Sequence, residues 1–112
     1  TAMSHINSGI KPGDTILSTE IYTYFNTSYY NKTGQEIVLL APEGDDGWGE
    51  WGLVKKAKTP QIPTMDSVSS RRIWLISRTK NYDQFMAIVP KNWKLKQEFF
   101  DGDLIVGLYE KG

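Results

Sequence analysis

The sequence predicts a small α/β domain: a three-layer, Rossmann-like sheet, mostly parallel, that ends in an antiparallel β-hairpin. Three observations predict it. Short, β-branched apolar runs alternate with segments whose apolar residues recur at helical spacing, the pattern of strands joined by crossover helices. The last part of the chain changes period, with two apolar runs around Asp101-Gly102, a strong hairpin signal. Finally, 112 residues, 39% of them apolar, suffice for one core, and no composition break marks a second, so residues 1–112 read as a single domain.

Each element has its own warrant. Residues 4–10 read as the closing turns of a helix. A helix so short is marginal alone, which points to a domain excised from a longer chain, with Thr1-Ala2-Met3 as a cloning remnant. Lys11-Pro12-Gly13-Asp14 is a tight turn, Pro presetting φ and Gly supplying a positive one. Residues 15–19 form a short β-branched strand. Over 20–30, Ile21, Tyr24, Phe25 and Ser28 mark a helix stripe flanked by Tyr22 and Tyr29, and Asn31-Lys32-Thr33-Gly34 closes it. Residues 35–41 are a second strand that Pro42 ends. Segment 43–52, with four glycines, is a loop. Residues 53–58 add a helical turn, Pro60 and Pro63 break the chain, and 64–70 read as a short helix. Residues 72–77 are the clearest strand. Tyr82, Phe85, Met86 and Val89 place a helix over 81–89, stopped by Pro90. The hairpin strands are 95–100 and 104–109.

Composition excludes most chemistries. With no cysteine, disulfides and thiolate sites are absent. His5 is the single histidine and lies near the amino end, so histidine metal sites and triads are not expected. Thirteen basic side chains balance thirteen acidic ones, which argues against a nucleic-acid partner. No apolar run approaches the roughly 20 residues of a spanning helix.

The richest candidate site is the acidic, tryptophan-bearing loop. Asp45, Asp46 and Glu50 offer oxygen ligands, but not in the register of a calcium loop, and no metal is assigned. Trp48 and Trp51 offer flat faces suited to stacking on a sugar ring. The competing reading has Trp51 anchoring the loop to the core and the acids solvated. Ser18-Thr19-Glu20 occupies the first strand-to-helix junction, where open α/β sheets bind ligands, yet lacks phosphate-cradling glycines. Glu20 is then an acid favoured in a first helical turn. Trp74 reads as core and Trp93 as the cap of the helix-to-hairpin corner. Arg71, Arg72 and Arg78, with Lys91, Lys94 and Lys96, read as solvated surface. Asn26 and Asn31 head glycosylation sequons. Asp101 and Asp103 belong to the hairpin turn, so no catalytic residue and no cofactor is assigned.

Four segments carry a family resemblance: Ile10-Lys11-Pro12-Gly13-Asp14-Thr15-Ile16-Leu17, the helix containing Tyr24, Phe25, Tyr29 and Tyr30, Arg72-Ile73-Trp74-Leu75-Ile76, and Leu108-Tyr109-Glu110. Together, over residues 4–111, they resemble the C-terminal extracytoplasmic domain of prokaryotic multi-spanning glycosyltransferases of the GT-C type, similar to dolichyl-phosphate-mannose–protein mannosyltransferases. The resemblance implies a parent membrane enzyme that moves sugar from a polyprenyl-phosphate carrier, its catalytic carboxylates outside this chain. It implies a non-catalytic accessory role in positioning acceptor or donor, on the extracytoplasmic face of the membrane. The implied partners are the transmembrane part of the parent chain, the nearby membrane surface, and a glycan or polyprenyl-phosphate-sugar headgroup. Two alternatives stand beside it: a stand-alone carbohydrate- or ligand-binding module using Asp45, Asp46, Trp48, Glu50 and Trp51, and a small nucleotide-binding domain of flavodoxin-like shape.

Overall fold

The β-branched runs become strands, and the stripe flanked by Tyr22 and Tyr29 becomes a helix. The computed structural model describes residues 2–19, 21–40, 61–62, 65, 68–81 and 89–111. Helix α1 (Ala2–Gly9) leads through the Lys11–Asp14 turn into β1 (Thr15–Ser18), α2 (Ile21–Tyr29) and β2 (Ile37–Leu40). Strand β3 (Gln61–Ile62) and β4 (Arg72–Arg78) follow. The hairpin strands β5 (Trp93–Asp101) and β6 (Leu104–Lys111) complete one six-stranded sheet in the order β3-β2-β1-β4-β6-β5.

The sheet is mixed, which corrects the expectation of a mostly parallel one. Strand β1 pairs in parallel with β2 over three residues and with β4 over four, and β2 with β3 over two. The antiparallel ladders are longer, seven residue pairs between β4 and β6 and eight between β6 and β5. The physical reason is that the parallel strands are cut short by Pro12, Pro42, Pro60 and Pro63 and by polar turns, whereas nothing interrupts the hairpin except a bulge between Leu95 and Gln97. A Rossmann-like feature does survive. Strands β1 to β3 advance in one direction and β4 lies on the other side of β1, so strand order reverses between β1 and β4.

Among the described residues, both α-helices cover the same face. Met3 and Ile6 of α1 pack on Ile16, Ile37, Trp74, Ile76, Val106 and Leu108, with Tyr24 of α2 beside them. Full burial of Ile6 and Met3 contributes about 2–3 kcal/mol each, and this holds the short α1 on the sheet where propensity alone would not. The opposite face packs Leu17, Ile73, Leu75, Ile105 and Tyr109 against Met65, Val68 and Val89. The expected helices over 53–58 and 81–89 fall wholly or largely outside the described residues; of the one expected over 64–70, Met65 lies in a 3-10 turn and residues 68–70 are not helical. Strand β3, bracketed by prolines, was not foreseen; at the sheet edge a proline removes no ladder bond that a neighbour needs. Gly102, at φ 61°, opens the two-residue loop between the paired Asp101 and Leu104, the left-handed conformation that tight hairpins require.

Candidate functional site

The Lys11–Asp14 turn does more than reverse the chain. Gly13 takes φ 90°, the Asp14 amide donates to the Lys11 carbonyl (3.1 Å), and the Asp14 carboxylate folds back to accept the Lys11 amide (2.9 Å). The same carboxylate, 5% exposed, reaches across to β4. Its Oδ1 accepts from Arg72 Nε at 3.0 Å and its Oδ2 from the Trp74 indole Nε1 at 3.0 Å. Arg72 Nη2 also points at the Gly9 carbonyl at the end of α1, 3.4 Å away. One buried carboxylate thus joins the end of α1, the turn into β1 and the start of β4. Arg72 and Trp74 can share it because residues two apart on a strand project from the same face. The close approach continues at Gly9, where an added Cβ would stand 2.9 Å from Trp74 Cη2.

Beside this hub lies an open groove of about 390 Å³. Its rim carries Lys11 from the turn, Arg72 from β4, and Lys96 and Glu110 from β5 and β6. Gly9, Trp74 and Leu108 contribute the rest of its lining together with Gln97. Lys96 and Glu110 approach to 3.8 Å, with side chains 50% and 41% exposed, a weak pair in water.

At the carboxyl ends of β1 and β4, the other place where this topology would take a ligand, the two strands are tied to each other. The Thr19 amide donates to the Ile76 carbonyl (3.1 Å), extending the strand pairing past Ser18, and its hydroxyl donates to Ser77 Oγ at 2.8 Å. Ser18 and Ser77 are buried. Glu20 lies outside the described residues.

The predicted loop site, Asp45, Asp46, Trp48, Glu50 and Trp51, also lies outside them. Trp74 is core, as read, but its indole N–H proves equally important. Trp93 is buried, its amide bonded to the Pro90 carbonyl at the corner into the hairpin. Lys91, Lys94 and Lys96 are exposed, while Arg72 is not free surface but part of the hub. His5 is half-buried and stacks on Phe99, centroids 4.1 Å apart. The Asn31 sequon is an Asx-type turn: Oδ1 accepts from the Thr33 amide (3.0 Å) and hydroxyl (2.7 Å), and Nδ2 donates to the Gln35 carbonyl (2.6 Å). Asp14 was read as a turn residue only. The signal that marks it is the pairing of an acid after Pro-Gly with Arg-x-Trp on a central strand.

Among the described residues no helix is long and apolar enough to cross a membrane, and no three His, Asp or Glu side chains gather as a metal set.

No protein-family profile matches the chain, and no curated protein does. Among solved structures, the 16S rRNA methylase RmtB is similar over 97% of this chain, with a TM-score of 0.51 and 10% identity. This chain spans 60% of that methylase. At that identity the likeness is one of fold.

It nevertheless corrects the partner expectation. That expectation set nucleic acid aside in favour of a membrane-embedded parent, a membrane surface and a glycan or polyprenyl-phosphate-sugar headgroup. The solved neighbour is an enzyme of ribosomal RNA, so the fold is compatible with a nucleic-acid-binding relative. Zero net charge is a global sum, and by itself it does not exclude a nucleic-acid partner.

Proposed function

We propose that this chain is a non-catalytic accessory domain of a membrane glycosyltransferase that draws sugar from a polyprenyl-phosphate carrier, and that it helps to position acceptor or donor. One observation carries the reading. The two short patterns behind the family resemblance, Lys11-Pro12-Gly13-Asp14 and Arg72-Ile73-Trp74, are 58 to 60 residues apart in sequence and are bonded to each other through the Asp14 carboxylate. Two motifs that form one buried unit are a single structural signature, more specific than either pattern alone.

The test compares the full gene product with this chain alone. Each is incubated with a polyprenyl-phosphate-linked radiolabelled sugar and the acceptor fraction of its source cells. The full product is expected to move label from carrier to acceptor, and this chain alone to move none. Transfer by this chain alone, or none by the folded full product with any polyprenyl-linked sugar, refutes the reading.

A further inference from the structure

We propose that the groove beside the Asp14 hub binds a phosphate group, as a phosphomonoester or a pyrophosphate. This rests on the groove itself and not on the function proposed above. Its volume, about 390 Å³, falls within the range of small-ligand sites. Three cations from three separate elements line it, Lys11, Arg72 and Lys96, with one lining carboxylate, Glu110, and the Asp14 carboxylate bonded to Arg72 behind it, which leaves one net positive charge.

Arg72 is the organising donor. Of the five N–H groups of a guanidinium, one is held by Asp14 Oδ1 and one points at the Gly9 carbonyl. Three remain for a ligand, on a fork whose rotamer the buried Asp14 fixes in advance, so little ordering entropy is lost on binding. Lys11 is exposed and, among the described residues, makes no ion pair. Among the described residues Lys96 has the long contact to Glu110, which an incoming anion can displace.

The donor count favours phosphate over carboxylate. A carboxylate offers two oxygens to one or two cations, whereas three non-bridging phosphate oxygens can accept from the Arg72 fork and both ammonium groups together. The Trp74 indole N–H, bonded to Asp14 behind the groove, reports on occupancy.

The experiment is a two-dimensional NMR titration of the protein with sodium pyrophosphate at low ionic strength, with sodium chloride of matched ionic strength as control, following the Arg72 Nε–H and Trp74 Nε1–H resonances. Saturable shifts with a Kd of about 5 mM or tighter are expected. The double variant Lys11→Gln, Lys96→Gln changes exposed side chains only and should keep its spectrum. Its affinity is expected to fall at least about tenfold. A parallel titration with a short single-stranded RNA separates the source of the phosphate. Shifts no larger than those from chloride, equal affinity in the double variant, or binding of RNA without pyrophosphate would each overturn the proposal.

Discussion

Truncating Asp14 to alanine should remove a large fraction of the domain's stability, because one carboxylate satisfies three donors. The Trp74 indole N–H is the costliest orphan. Trp74 is 1% exposed, so no water replaces the lost acceptor, at about 1–3 kcal/mol. Arg72 loses a charged bond at 3.0 Å, but its side chain is 20% exposed, and partial solvation reduces that loss to about 1–2 kcal/mol. The Lys11 amide belongs to an exposed residue and rehydrates at little cost. The total is about 2–5 kcal/mol, against the 5–15 kcal/mol typical of a native domain. For a chain of this length that is a fall in Tm of about 8–20 °C. Asp14→Asn keeps an oxygen for the indole and surrenders the charge, so it should lose about half as much. Urea titration followed by tryptophan fluorescence measures both. The predicted result is a lowered midpoint at unchanged m-value, larger for alanine than for asparagine. A loss below about 1 kcal/mol for Asp14→Ala would show that the carboxylate is replaceable by water, and the hub would cease to be a structural unit.

Gly9→Ala places a Cβ 2.9 Å from Trp74 Cη2, and the buried indole cannot yield, so thermal melts should show a loss of about 1–3 kcal/mol. Gly102→Val puts a β-branched residue at φ 61°, at a cost of about 1–2 kcal/mol, with hairpin amides gaining faster hydrogen exchange than those of β1. Asn31→Ala removes the acceptor of Thr33 and the donor to Gln35, for a loss of about 1 kcal/mol by urea titration, while Asn31→Asp retains the acceptor and should lose less.

Much of the fold was legible because periodicity and punctuation agree. Pro12 and Gly13 end the first helix where the structure ends it, and the β-branched run 15–19 and the segment 72–77 are strands within a residue of their observed bounds. Pairing length was not legible. Nothing local in Trp93 and Lys94 announces the strand start two residues before Leu95, since Lys94 is exposed on an edge strand whose partner β6 supplies the register. Proline misled at β3, where edge position removes the penalty that proline carries in a central strand. At the site, Asp14 and Trp74 were read for turn chemistry and for burial. Their bond spans 60 residues of sequence, and only the parallel pairing of β1 with β4 brings them together.

The central claim, that this is one domain of a membrane glycosyltransferase, is tested most directly by the coding sequence upstream of Ser4, scored for mean hydropathy over a window of about 19 residues. The account predicts many apolar spans there, with carboxylates in the first outward-facing loop. An initiation codon immediately before Ser4, with no spans encoded, would contradict it.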